Sequence, residues 1–285
     1  MIQPSLLPAL TSPVKDAYVQ LAEAYPALSI RELGPGDPTP RGDGWVGAED
    51  LAAGGAALDA FLAWDADQLR RDYGQDARSD VVATFGLHRY AWPALLLITV
   101  PWFLRRRVPH LSPHDVSYRR TLRQLSVRVT DFACLPGDRA ARLPGARVVP
   151  DEAALRDEVR TAVADHLGPL LDGFGPRMRR GRRALWGMVT DEVVEGLWYV
   201  ASLLGPDEEV RAMTELQELL PGTQMAKPYV GTPGFRTLNA PTGEQLATRD
   251  RASCCLFYTI RPDDTCVTCP RTCDADRVAR LLPSA

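Results

Sequence analysis

The chain has 285 residues, 45% hydrophobic and 24% charged, with a formal net charge of −3. That balance belongs to an ordinary globular protein and excludes both intrinsic disorder and a fold that depends on disulfides. The mildly acidic sum argues against a nucleic-acid partner.

The first residues, Met1-Ile2-Gln3-Pro4-Ser5-Leu6-Leu7-Pro8, lack the basic start and unbroken apolar run of a secretory leader, so a cytoplasmic location is expected. Ser12 and Pro13 are helix-start residues, and Val14, Tyr18, Leu21 and Tyr25 recur on one stripe, which predicts a first helix. A loop rich in proline and glycine follows from Gly34 to Gly44. Ala48 to Tyr73 reads as a second helix with Leu51, Leu58, Phe61, Leu62 and Leu69 inward, loosened or broken at Gly54-Gly55. A third begins at a capping Ser79 and runs toward Pro101, with a kink at Pro93. Its apolar stretch, Ala91 to Leu104, falls short of the about 20 residues a bilayer span needs. It therefore reads as a buried helix, and no transmembrane segment is expected. Arg105-Arg106-Arg107, directly after it, suits a helix C-terminus and is short for a lipid-binding run.

His110 and His114 stand four apart, but Pro109 and Pro113 exclude a continuous helix there and no third metal ligand accompanies them. Cys134 reads as a small core residue. A short helix after Pro113 gives way to a strand over Leu125 to Thr130, with Arg147-Val148-Val149 as its candidate partner. Asp151 caps a helix carrying Leu155, Val159, Val163, Leu167 and Leu170; further helices span Pro176 to Leu204 and Asp207 to Leu220. Pro221 to Glu244 reads as a connecting segment. Leu256 to Ile260 favours a strand, Pro262-Asp263-Asp264 a turn, and Asp274 starts a short helix with Val278, Leu281 and Leu282. The expected fold class is α+β. A predominantly helical body with a few short strands, residues 1–244, carries a small docked C-terminal strand-loop-helix unit, residues 245–285.

That last unit holds the densest chemistry. Five of the six cysteines fall between Cys254 and Cys273: Cys254-Cys255, then Cys266-Val267-Thr268-Cys269, then Cys273. Soft thiolates gathered in this way point to a metal site. Disulfides need an oxidising compartment. Structural zinc usually takes two separated Cys-x-x-Cys knuckles, and adjacent cysteines in an extended strand point to opposite faces, which suits one four-coordinate ion poorly. A [2Fe-2S] cluster presents two irons and accepts diverging thiolates, so the spacing favours it over zinc.

The stretch Arg251-Ala252-Ser253-Cys254-Cys255-Leu256-Phe257-Tyr258, followed by Cys266-x-x-Cys269, closely resembles the C-terminal motif of the FhuF-like ferric-siderophore reductases, cytosolic [2Fe-2S] proteins with a Cys-Cys-x10-Cys-x2-Cys pattern. Gly44-Trp45-Val46, His88-Arg89-Tyr90-Ala91-Trp92 and Arg182-Arg183-Ala184-Leu185-Trp186-Gly187 add a looser resemblance in the expected order. The resemblance implies that Cys254, Cys255, Cys266 and Cys269 hold a [2Fe-2S] cluster; Cys273 lies outside the pattern and is an alternate ligand to Cys269. It also implies that the acceptor is Fe(III) in a hydroxamate-type siderophore. Hard oxygen ligands hold Fe(III) far more tightly than Fe(II), so one electron loosens the complex.

The sequence carries no G-x-G-x-x-G after a strand, no Walker loop and no flavin fingerprint, so electrons must come from an external ferredoxin, flavodoxin or flavin reductase. Arg182, Arg183 and Trp186 are candidates for a substrate-binding rim; the alternative is a solvated helix face with Trp186 in the core. Arg251 is the candidate for tuning the cluster, because a nearby cation stabilises the more negative reduced state. His88 and Trp92 read as packed rather than catalytic. Two other functions compete: a [2Fe-2S] redox or iron sensor, and a zinc-stabilised interaction protein.

Overall fold

In a computed structural model, residues 12–220 and 228–282 are described. The predicted stripe forms α1 (Lys15–Ala24), with Tyr18 and Leu21 buried. Strands β1 (Ser29–Glu32) and β2 (Trp45–Gly47) follow, and then α2 (Ala48–Ala53) and α3 (Gly55–Tyr73) in place of one long helix. The break falls at Gly54, whose φ of 72° and ψ of −147° only glycine adopts cheaply. It lets α2 lie against a later helix at Gly173, where a Cβ would stand 2.6 Å from the carbonyl oxygens of Leu51 and Ala52.

Helix α4 (Ser79–Arg105) is buried over most of its surface. Its N-cap is Arg78 rather than Ser79, and it continues past Pro101 to Arg105. A proline within a helix strands the carbonyl four residues earlier. For Pro101 that carbonyl belongs to Leu97, and the Tyr18 hydroxyl donates to it at 2.9 Å. Among the described residues α4 is the one helix long and apolar enough to cross a membrane, and 78% of its apolar window is buried inside the protein. The three arginines after it are tied inward: Arg105 to Gln20, Arg106 to Glu152 and Glu215, and Arg107 to Asp138 at 2.6 Å.

Next come β3 (Arg107–His110), β4 (Val116–Arg119), β5 (Gln124–Val127), β6 (Asp131–Cys134) and β7 (Ala146–Val148). One sheet has the order β1-β5-β4-β2, the other β3-β6-β7. The expected pairing of Arg147-Val148-Val149 with the strand near Leu125 does not form. β7 lies parallel to β6, with Phe132 opposite Ala146. Gly145 permits this, since its φ is 76° and a Cβ would collide with the Thr130 carbonyl at 1.8 Å.

Helix α5 (Glu152–Met178) starts at Asp151, whose carboxylate accepts from the Ala154 amide at 2.8 Å. It runs through Pro169 and Pro176, so the following helix does not begin at Pro176. Arg179 turns left-handed, and α6 (Arg182–Leu204) and α7 (Pro206–Leu219) follow. Part of the expected connecting segment is strand: β8 (Phe235–Asn239) pairs with β9 (Gln245–Arg249) in a hairpin that straddles position 244/245.

The expected strand at Leu256–Ile260 is instead a single 3-10 turn, Phe257–Thr259, entered through a left-handed Leu256 with φ 65°. Its apolar residues dock outward rather than pair. Phe257 sits between Tyr73 and Phe85, with ring centroids 5.5 and 6.0 Å away, and Ile260 packs with Leu69, Val81 and Val82. Helix α8 (Asp274–Leu281) closes the chain and lays Val278, Leu281 and Leu282 on Leu238, Ala240 and Leu246 of the hairpin. The whole is α+β: a helical body around α4, two small sheets and a C-terminal hairpin-turn-helix.

Candidate metal centre

Helix α6 is largely apolar, yet Asp191 and Glu192 are buried within it and Glu195 lies one turn on. Buried carboxylates survive only when paired and hydrogen-bonded. Asp191 meets that demand with the segment that leads into the cysteines. It accepts from the Ala252 and Ser253 amides at 2.8 Å each, from the Ser253 hydroxyl at 3.1 Å and from Arg249 at 2.6 Å. Burial raises its pKa, while Arg251 and Arg249 pull it back. Arg249, fully buried, also donates to Glu195 at 2.9 Å and to the Pro233 carbonyl at 2.8 Å. Thr268, between two cysteines, donates to the same Glu195 at 3.0 Å. One turn of α6 thus holds both cysteine loops.

The loops converge from there. Cys255 and Cys266 act on each other: hydrogen bonding with the Cys266 thiol lowers the Cys255 pKa to about 7 against the cost of its burial, and the same interaction raises that of Cys266. The Leu256 amide donates to Cys254 Sγ at 3.4 Å, and Arg180 donates to the Cys254 carbonyl at 2.6 Å. Arg251 stands close to Cys255. Burial works against its charge, but Asp191, Glu192, Glu195 and Cys255 more than offset this and raise its pKa. Cys269 is buried, and its carbonyl accepts from Arg277 at 3.1 Å. Arg277, itself buried, also donates to the carbonyls of Arg249 and Thr272 at 3.2 Å each and to Asp250 at 2.7 Å. Cys273 is exposed at the N-cap of α8, and Cys134 is buried far away in sequence on β6.

Among the described residues no three histidine, cysteine or carboxylate side chains meet at one ion-binding point. The donor set nonetheless fits an iron-sulfur group. It offers four sulfurs on two loops, one of them readily ionised, together with an amide that donates to Cys254 and the nearby charge of Arg251, and thiolates are the species that ligate such clusters. Cys254, Cys255, Cys266 and Cys269 are the residues that would hold it.

Beside these loops opens a cleft of about 890 Å³, within the size range of small-molecule sites. Cys266, Thr268, Arg251, Glu195 and His88 are part of its lining. Trp92, Tyr25 and Tyr199 form an aromatic wall, their ring centroids 5.5 to 5.8 Å apart. Trp64, Arg89, Arg120 and Arg123 line another part. His88 is not simply packed. Its Nδ1 lies 2.7 Å from buried Glu192, which raises the imidazole pKa, and half of its side chain faces the opening.

Arg182, Arg183 and Trp186 stand apart from this lining. Trp186 is 3% exposed and packs edge-on against Tyr229 at 5.6 Å, Arg182 reaches toward Asp172 at 3.5 Å, and Arg183 is exposed. Asp191, Glu195, Arg249 and Arg277 were missed from the sequence. For the first two a signal existed, because Asp191-Glu192-Val193-Val194-Glu195 puts three carboxylates into an apolar helix, a placement that calls for buried cations. For the arginines no local pattern gave one.

Residues 251–271 match the family model described as the FhuF 2Fe-2S C-terminal domain. The matched stretch contains Cys254, Cys255, Cys266 and Cys269 and stops short of Cys273. The match covers these residues alone, and the cofactor it indicates is a [2Fe-2S] cluster. No curated protein matches the chain.

Proposed function

We propose that this [2Fe-2S] protein is a cytoplasmic ferric-siderophore reductase, which takes electrons from an external ferredoxin, flavodoxin or flavin reductase and delivers them to siderophore-bound Fe(III). The observation that carries the reading is the position of Cys266: a cysteine of the cluster motif is part of the wall of a cleft sized for a small ligand. When bound, the cluster supplies one-electron chemistry, with all four thiolates engaged and no coordination position left for substrate.

The chain's own residues do the rest. Trp92, Tyr25 and Tyr199 offer apolar faces to the body of a chelate. Arg251 supplies a fixed positive charge beside Cys255 that favours the more negative, reduced state of the centre. Asp191 and Glu195 hold the two cysteine loops in register through the bonds described above, which limits reorganisation at the sulfurs. Reduction of the substrate iron weakens its hold by hard oxygen ligands, so product release needs no further bond breaking by the protein.

The test is spectroscopic. Anaerobically purified protein should be coloured, bleach with dithionite and regain its absorbance on addition of a ferric trihydroxamate, with Fe(II) trapped by a ferrous chelator. A colourless protein with stoichiometric zinc would discard the reading, and a bleachable centre that ignores the ferric complex would favour a sensor.

A further inference from the structure

The cleft is not uniformly charged. At its cluster end Arg251 and Arg249 face Asp191, Glu192 and Glu195, an environment with no surplus of positive charge. A second group of lining residues is different. Arg89 and Arg120 both donate to one carboxylate, the fully buried Asp65, Arg89 at 2.8 Å. A single carboxylate beneath two guanidinium groups leaves one positive charge uncompensated. Arg123, held left-handed with φ 48°, adds a third arginine to the lining, and among the described residues no carboxylate pairs with it. Asp72 is the acidic residue on this side; it is exposed and accepts from Gln68 at 2.6 Å. Arg71, whose guanidinium stands 5.9 Å from the Trp64 ring centre, adds further charge nearby.

Arg120 is also rigidly placed. Arg120 is sandwiched against Phe61 and Trp64, 4.4 and 4.1 Å from their ring centres, and donates to the Phe61 carbonyl at 3.1 Å. Its Nε is buried with no partner. Arg120 is therefore a fixed, buried charge with both terminal nitrogens engaged, while Arg89, partly exposed, and Arg123, exposed, are the arginines of the lining that an incoming anion can reach. Exposed aromatic rings alone would suit any apolar chelate. Three arginines in the lining of the same cleft suit a chelate that carries a negative group remote from its iron.

We propose that the cleft selects ferric chelates bearing an anionic group, a carboxylate or an ionised ligand oxygen, which docks on Arg89 and Arg123 beside the fixed charge of Arg120 while the metal lies toward Cys266. This deepens the reductase reading and rests on it. The orientation follows from the two separate ion-pair groups: the arginines around Asp65 draw the anion, and the iron is left to the cysteine loop, whose arginines are matched by Asp191, Glu192 and Glu195.

The test uses desferrioxamine B with its terminal amine capped either by acetyl, leaving it neutral, or by succinyl, leaving a carboxylate. The two bind metal through the same three hydroxamates. Their gallium(III) complexes are redox-inert, and titration into the cluster-loaded protein can be followed by quenching of Trp64 and Trp92 fluorescence and by calorimetry. The succinyl complex is expected to bind about tenfold more tightly than the acetyl complex, as one charge-assisted hydrogen bond provides. The preference should fade in high salt and fall to within twofold in Arg123→Asn, a substitution that suits the left-handed backbone. Equal binding of both complexes, or an unchanged preference in Arg123→Asn and in Arg89→Gln, would overturn the proposal and leave the reductase reading intact. If neither complex binds while the iron(III) forms still re-oxidise the reduced protein, the cleft is not the substrate site and the proposal falls. If neither binds and neither iron form re-oxidises it, the reductase reading falls as well.

Discussion

The helical body and the C-terminal unit are held by different forces. Around α4 the contacts are apolar: Leu95, Leu96, Ile98, Val100, Trp102 and Phe103 are nearly or wholly buried, and the stabilisation scales with area and has little direction. The cysteine-bearing unit buries one small apolar patch under α8 and a turn of aromatic residues against α3 and α4. What fixes its backbone is a set of directed bonds from Arg249, Arg277 and Asp191 to carbonyls and amides. The contrast shows how a metal loop can be ordered without a core of its own. Apolar packing builds the platform, and the carboxylates of one helix turn together with Arg277 and Arg180 hold the backbone of the cysteine loops.

The comparison breaks most completely at the sulfurs. Cys254→Ser or Cys266→Ser should abolish iron and acid-labile sulfide while far-UV circular dichroism of the body persists; Cys273→Ser should retain both, and loss of iron there would make Cys273 a ligand. The next largest effect belongs to the tie between the regions. Asp191→Ala leaves buried Arg249 with Glu195 as its one carboxylate and strips the Ala252 and Ser253 amides of their acceptor, a change expected to cost about 3–5 kcal/mol in denaturant titrations and to release the cluster before the body unfolds. Asp191→Asn, which keeps an acceptor oxygen, should lose less.

Within the body, His166 is wholly buried between Tyr90 and the Leu111 carbonyl, and desolvation lowers its pKa to about 4. The unfolded chain therefore takes up that proton first. Stability from this residue is full above the ordinary imidazole value and is lost as pH falls toward 4, by about 3 kcal/mol. His166→Asn should remove that slope from the urea midpoint measured against pH. The smallest effect is expected at Arg182. Its pair with Asp172 is exposed on both sides, so Arg182→Ala should change stability by less than about 0.5 kcal/mol and leave ferric-chelate reduction unchanged.

The sequence made the helices legible because their apolar residues recur at helical spacing, and the cysteine motif legible because thiolates were so concentrated. It misled where a local rule met a tertiary partner. Pro101 and Pro176 were read as boundaries, but Tyr18 satisfies the carbonyl that Pro101 frees, and Pro176 falls in the last turn of α5. Leu256–Ile260 had strand composition, yet its side chains serve as an anchor in a groove formed by α3 and α4. The hairpin β8–β9 was hidden because Phe235–Asn239 and Gln245–Arg249 alternate weakly. The cleft could not be foreseen at all, since Tyr25, Trp64, Trp92, Arg123 and Cys266 come together only through the fold.

The most direct test of the account is stopped-flow re-oxidation of the dithionite-reduced protein by a ferric trihydroxamate at rising concentration, in wild type and in Ala27→Trp. Ala27 is exposed at the edge of the cleft, so a bulky ring there obstructs the opening while the cysteine loops stay in place. The account predicts a rate that saturates with the ferric complex in wild type and drops at least about tenfold in the variant, with cluster absorbance unchanged. A rate that rises linearly without limit and is indifferent to the tryptophan would contradict it, because electrons would then leave the protein somewhere other than this cleft.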